Sequence, residues 1–327
     1  FDLTWVVDRV LWSHDFHDGS IALREEYMRL KDSRLTLHDL APDIRLHYER
    51  HINPVIDTTP RYTIDGLADY RFLKLFARKV RRFFFVLLRP SLLRARLRWA
   101  YMMFPETLRR FSYRFRFNLP RAYRALQIAP DLRRKFVYVP LHFQPECSTN
   151  PVGDVFQDQI FLLRTLAASL PHDVVIYVKE HPFQWLPFGH GFIEDRYRLF
   201  YHYIAEIPRV FLVPISTRSI DLVTHAIAVS TVSGTAGWEG ILRGKPALIF
   251  GHPWFQFAPG VFRVHTVDDC RGAFALIQHG LSISQSETIA FLSALDRVSF
   301  HGYYDESTKR VSAITPLENA ENFAKAF

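Results

Sequence analysis

AIAVSTVSGTAGWEGILRGKPALIFG, Ala226 to Gly251, sets two short apolar runs around one helical run. Ala226 to Ser230 reads as a strand, Ala236 to Leu242 as a helix and Pro246 to Phe250 as a second strand. Strands joined through a helix run parallel, because a crossover returns the chain to the same end of the sheet. The alternation continues upstream. FVYVP (Phe136 to Pro140), VVIYVK (Val174 to Lys179) and VFLVPI (Val210 to Ile215) are strand-like, and Val155 to Leu170, Ile193 to Ile207 and Ser219 to Thr224 are helical. These strands are almost wholly apolar, as expected of a sheet covered on both faces. The prediction is α/β: a Rossmann-type parallel sheet over residues 131–327, with helices at its C-terminal end.

Before Asp131 the character changes. Ile21 to Leu30, Leu67 to Leu88, Ser91 to Met103 and Pro105 to Leu126 carry helical spacing, with Pro90, Pro105 and Pro120 at boundaries or first turns. WVVDRVLW (Trp5 to Trp12) fits a strand or a short helix equally well. Residues 1–130 are therefore expected to form a helix-rich N-terminal domain facing acceptor or membrane. The chain opens on Phe1, so that domain reads as incomplete.

Of the 327 residues, 48% are hydrophobic, enough for a substantial core. No apolar run approaches the roughly 18 to 20 residues of a membrane span. The longest candidate, Phe83 to Leu88, sits between Arg82 and Arg89. Cys147 and Cys270 match no CxxC or zinc spacing, which favours a reducing compartment. The net charge of +8 is concentrated: Arg71 to Arg124 holds 16 Lys and Arg against the single Glu106, a local +15 that leaves −7 elsewhere. Cations alternating with large apolar groups there fit an anionic membrane surface. A nucleic-acid groove uses similar ingredients, but no nucleic-acid motif accompanies them.

Ligands of open parallel sheets sit outside the carboxyl ends of the strands. Four strand ends here lead straight into polar clusters. FVYVP runs into LHFQPECST, VVIYVK into EHP, AIAVS into TVSGTAGWE and PALIF into GHPWF. In the third, Ser233, Gly234 and Thr235 precede a helix whose N-terminus favours an anion, with glycine allowing close approach. The alternative is that Ser233 or Thr235 only caps the helix. Neither a Walker loop nor a dinucleotide GxGxxG is present. Glu239, one turn on, suits either a pair with Arg243 or the vicinal hydroxyls of a ribose. In KEHP, Lys179, Glu180 and His181 leave a strand together, and Pro182 holds His181 extended at its tip. A His and a Lys there suit a phosphate, although a His beside a Pro is commonly a plain loop residue. Trp254 and Phe255 in HPWF look like packing. Glu146 is the sole carboxylate among the polar residues that include His142 and Gln144, and it reads as a turn acid or as a nucleophile, base or clamp.

Taken together, PLHFQPECSTNPVGDVFQDQIFLLRTLAASLP, VYVKEHPFQ and STVSGTAGWEGILRGKPALIFG resemble the bacterial capsule polysaccharide synthesis family over roughly Phe136 to Cys270. That family includes retaining transferases that take Kdo, an acidic sugar, from CMP-Kdo. The resemblance implies a GT-B architecture, two Rossmann-like domains across a cleft, with the nucleotide on the C-terminal one. It places His181, with Lys179, Glu180 and Pro182 around it, at the CMP phosphate. Ser233, Gly234 and Thr235 fall at the phosphate or cytidine, and Glu239 at the ribose. Gln144 to Ser148 matches the family's Q-x-acid-x-Ser element, putting Glu146 beside the sugar where an Asp is expected.

The implied function is transfer of a Kdo-like sugar from a CMP-sugar to a glycan or lipid-linked acceptor, at the cytoplasmic face of the inner membrane. Glu146 and His181 are the candidate catalytic residues. No cofactor or metal is implied and no DxD motif is present. The rival readings are a non-catalytic export or assembly protein of the same fold, and a UDP-sugar transferase or epimerase.

Overall fold

The computed structural model describes residues 2–4, 6, 8–53, 56, 81, 98, 101, 118–144, 149–182, 184, 196–304, 306–309 and 311–326. In chain order its longer elements are β1 (Asp2–Leu3), β2 (Arg9–Leu11), α1 (Ile21–Leu30), α2 (Pro42–Ile52), α3 (Leu119–Leu126), β3 (Phe136–Pro140), α4 (Gln159–Ser169), β4 (Val175–Lys179), α5 (Phe200–Ala205) and β5 (Val210–Leu212). There follow α6 (Ser219–His225), β6 (Ala228–Thr231), α7 (Thr235–Leu242), β7 (Ala247–Ile249), β8 (Val261–Arg263), α8 (Val267–Gln278), α9 (Gln285–Val298), β9 (Phe300–His301), α10 (Glu306–Lys309) and α11 (Pro316–Ala326).

Strands β3 to β8 form one parallel sheet in the order β5-β4-β3-β6-β7-β8. Every residue of β4 and the first four of β3 are buried, which explains their unbroken apolar reading. Val137, Val139, Ile176 and Val178 point to one face and pack with Leu163 and Leu166 of α4 and Phe274 of α8. Phe136, Tyr138 and Tyr177 point to the other and pack with Leu222 and Val223 of α6. The predicted helix over 155–170 is divided at Asp158. A 3-10 turn, Asp154–Gln157, precedes it, and the Asp158 side chain then accepts from Ile160 N to start α4. Strand β8 has no counterpart in the sequence reading, because VFR is too short to show a period. Apart from residues 81, 98 and 101, the predicted helices 67–88 and 91–103 lie outside the described residues, as does most of 105–126; its last part is α3. The basic segment is therefore described mainly at its end. Among the described residues no helix is long and apolar enough to cross a membrane. Cys270 is buried in the core, where burial pushes its thiol up to about 11.

Residues 2–53 are not a body apart. In WVVDRVLW the described stretch Arg9–Leu11 is a strand, and it pairs with β9 from the far end of the chain. Arg9, buried, binds Asp43 at 2.8 Å and Asp296 at 2.8 Å. Helix α1, started by Ser20 accepting from Leu23 N, lies along α9. Leu23, Leu30, Ile44 and Tyr48 share one core with Trp238, Trp254, Phe255 and Phe291.

That core has a pH-sensitive joint. Trp238 Nε1 donates to His47 Nε2 at 3.1 Å, so that nitrogen carries a lone pair. Burial, helped by the charges of His51 and Arg50, holds His47 well below the usual imidazole range. Burial likewise brings His51 down to about 4. Both folded values lie below the unfolded value of about 6.5, so the unfolded chain takes up protons that the folded chain refuses. Their stabilisation is complete above about pH 6.5 and declines as pH falls toward the folded values. The urea midpoint should therefore drop between pH 7 and pH 5. A His47→Gln/His51→Gln double variant should flatten that part of the profile, and an unaltered slope would remove these rings as its cause.

Candidate functional site

Strands β4, β3, β6 and β7 are neighbours in the sheet, so the four polar clusters that follow them stand side by side on one rim. The chain winds outward from β3 through β4 to β5 and then returns to β6 on the other side of β3. Two connections that depart in opposite directions leave a crevice between β3 and β6, the usual ligand position in such sheets.

His142 closes the floor of that crevice. It is buried, its backbone N–H donates to Gln159 Oε1 at 2.7 Å, and Arg196 Nη2 donates to its carbonyl at 2.6 Å. Its Nε2 lies 3.2 Å from Val232 N and 3.4 Å from Ser233 N. Backbone N–H groups only donate, so Nε2 holds a lone pair and the ring is neutral with its proton on Nδ1. Thr231 Oγ1 lies 2.8 Å from the same nitrogen and accepts from Gly234 N at 2.9 Å. One imidazole and one hydroxyl thus shape the turn from 231 to 234. Gly234 leaves room for both: a Cβ on it falls 2.9 Å from Thr231 Oγ1 and 3.1 Å from His142 Cε1. The N-cap of α7 is Gly234, which has no side chain to cap with, so neither Ser233 nor Thr235 plays that part. Ser233, Gly234 and Thr235 are half-buried at the crevice.

A buried network ties β3 to β4. Arg196 and Glu180 are both fully buried and pair at 3.0 Å. Tyr201 donates to Glu180 Oε2 at 2.6 Å, and His181 N donates to Glu180 Oε1 at 2.7 Å. Tyr123 receives Glu180 N at 3.1 Å and passes its own proton to the Val213 carbonyl. Burial opposes the charge on Arg196, but the Glu180 carboxylate and Tyr201 outweigh it and hold the guanidinium above its ordinary pKa. Arg196 also donates to Gln144 Oε1, while Gln144 Nε2 donates to the Gln157 carbonyl at 2.9 Å. Glu180 and Gln144 thus brace the loops from behind. His181, half-buried, has its ring 5.6 Å from that of Phe143, with Pro182 beside it.

Lys179 ends β4 and is buried, its ammonium donating to the Thr217 carbonyl at 2.6 Å and to Ser219 Oγ at 2.9 Å. Tyr138 reaches the same Ser219 Oγ at 3.5 Å. Burial raises the Tyr138 pKa, the Ser219 hydrogen bond offsets part of this, and the Glu239 charge raises it further. Arg243 Nη1 donates to the Glu239 backbone carbonyl at 3.1 Å. Glu146 lies outside the described residues. Gln144 and Thr149, on either side of it, are joined at 3.3 Å.

The sequence offers no sign of Arg196 or Tyr201, because a buried ion pair depends on partners 16 and 21 residues apart. His142 is visible there only as one polar residue among several. Trp254 and Phe255 are core residues, as their type suggests, but His252 of the same segment is not: it meets His17 and Asp154.

Residues 132–273 match the family model described as capsule polysaccharide biosynthesis protein. No curated protein matches the sequence. Among solved structures, the chain is similar to Thermosulfurimonas dismutans KpsC, beta Kdo 2,7 transferase, at 15% identity and TM-score 0.35, covering 59% of this chain and 57% of that one. KpsC, beta Kdo 2,4 transferase, of the same organism gives 18% identity and TM-score 0.35, with 54% and 50% covered. UDP-GlcNAc 2-epimerase from Methanocaldococcus jannaschii gives 12% identity and TM-score 0.35, with 55% and 48% covered. The chain spans about half the length of these structures. The residues that match the capsule polysaccharide biosynthesis family, 132–273, hold the parallel sheet and every described candidate on its rim.

Proposed function

We propose that the chain is a glycosyltransferase of capsule or surface-polysaccharide synthesis that transfers a Kdo-like acidic sugar from a CMP-sugar to a glycan or lipid-linked acceptor. The observation that carries this reading is the placement of four polar clusters, all within the family-matched residues 132–273, on four adjacent strand ends around the β3/β6 crevice. In this reading the CMP phosphate lies between His181 and the N-terminus of α7, where a cation and a helix dipole favour negative charge on the leaving group. Lys179 holds the neighbouring loop through Thr217 and Ser219, and Glu239 receives the ribose hydroxyls. Glu146 faces the donor sugar. CMP departs as a stabilised anion, so its release needs little acid assistance. Gln144 and Glu180 keep the loops in place. The acceptor belongs to the other side of a GT-B cleft, and the basic segment 71–124 brings it to an anionic cytoplasmic membrane surface.

A nucleotide panel tests the reading. CMP present at about 100 times its Kd should stabilise the fold by about 2.7 kcal/mol, seen as a raised thermal midpoint, with UDP at equal concentration doing little. A shift with UDP and not CMP moves the chain to the UDP-sugar reading. No shift with CMP, CMP-Kdo or UDP leaves the non-catalytic one.

A further inference from the structure

On the rim beside β7, three side chains from distant parts of the chain converge on one point. His17 Nδ1 lies 3.1 Å from His252 Nε2, and His252 Nε2 lies 3.2 Å from Asp154 Oδ2. All three donor atoms fall within 4.8 Å of one another. His17 belongs to an exposed turn of residues 14–19, Asp154 to the loop after β3, and His252 to the loop after β7.

No neutral protonation state gives each of these two contacts a proton of its own. A ring nitrogen has a single in-plane position, filled by a proton or by a lone pair. If His252 Nε2 carries the proton and gives it to Asp154, His17 Nδ1 is left 3.1 Å away without a share in it. If Nε2 carries the lone pair and accepts from His17, the Asp154 carboxylate faces that lone pair at 3.2 Å. A cation at the centre accepts a lone pair from all three.

We propose that His17, Asp154 and His252 form a three-ligand site for a divalent transition metal of the zinc class, which clasps the 14–19 turn to the rim of the sheet. Two imidazole nitrogens and one carboxylate suit zinc, cobalt or nickel, whereas magnesium and calcium demand an all-oxygen shell. Ligands about 2.0–2.1 Å from a tetrahedral ion stand roughly 3.3 Å apart, close to both short separations here. The fourth position falls to water. The ligands are also held in advance. Gln256 Nε2 donates to the His17 carbonyl at 3.3 Å, and the Phe16 ring lies 4.0 Å from the His17 ring. The His252 side chain is only 8% exposed, so its imidazole has little freedom to turn away. None of these three side chains is among the candidate nucleotide ligands, so the site does not depend on which nucleotide the chain accepts.

Zn2+ titration of the metal-stripped full chain against a chromophoric chelator, with Co2+ absorption as a second probe, tests the assignment. The expected result is one tight equivalent with a four-coordinate Co2+ spectrum, and a raised thermal midpoint on addition of Zn2+. His17→Ala and Asp154→Asn alter exposed side chains and leave the fold intact. Each should weaken Zn2+ binding at least tenfold and abolish the thermal shift. Absence of a tight equivalent, or unchanged affinity in either variant, would overturn the three-ligand site, since the chain has 15 histidines able to bind metal elsewhere.

Discussion

Replacing Arg196 with methionine is expected to cost about 3–5 kcal/mol of stability, the effect of removing one partner from a buried ion pair. Methionine fills much of the same volume but leaves the Glu180 carboxylate fully buried with its main counter-charge gone. It also strands the His142 carbonyl and Gln144 Oε1, which Arg196 now serves. Urea unfolding provides the measurement. A second change, Glu180→Gln, should recover part of the loss, because a neutral amide keeps a hydrogen bond to Tyr201 without an unpaired charge. A cost below about 1 kcal/mol in the single variant would mean that water reaches this pair, contrary to its zero exposure. The loops carrying His142 and His181 hang on the same network, so the variant should also lose nucleotide affinity at temperatures where it remains folded.

The second large effect concerns chemistry rather than stability. Glu146→Gln and His181→Ala should each lower sugar transfer by roughly 10²- to 10³-fold, the usual consequence of removing a group that stabilises developing charge or assists attack. Their urea midpoints should stay close to that of the parent, and the His181 backbone N–H, which donates to Glu180, survives the change. Kinetic constants divide the roles. His181→Ala should reduce kcat through the departing phosphate, whereas a Glu146 that only holds the sugar would raise KM with kcat nearly unchanged. Full activity in both variants would defeat the site assignment, whatever the nucleotide panel reports.

The sheet was legible because its information is local. Phe136–Pro140 and Ala228–Thr231 are short apolar strands bounded by turns, and the helices between them show their own period. The rim was legible for the same reason: polar residues follow the strands directly in sequence. What partners those polar residues take was not. Glu180 looks like one of three ligands in KEHP, yet the fold gives its carboxylate to Arg196 and Tyr201. Gly234 reads as room for a ligand, whereas the neighbours that need the room are Thr231 and His142. Arg9 carries no local signal at all, since its partners are Asp43 and Asp296. Periodicity reports which face of an element is buried, but not what lies against it.

The pairing of Arg9–Leu11 with Phe300–His301 sets an order of events during synthesis. Beyond the two-residue β1 beside it, that strand has no partner until nearly 300 further residues have been made, roughly 15 to 60 s at common elongation rates. The parallel sheet ends at Arg263 and can close before then. Until α9 emerges, Trp238 and Trp254 lack Phe291, and Leu23 lacks the helix along which α1 lies. The growing chain therefore carries a finished sheet beside an open aromatic face, a form suited to chaperone capture and prone to self-association. Slowing translation between Arg263 and Phe300 would lengthen that exposure without altering a single residue.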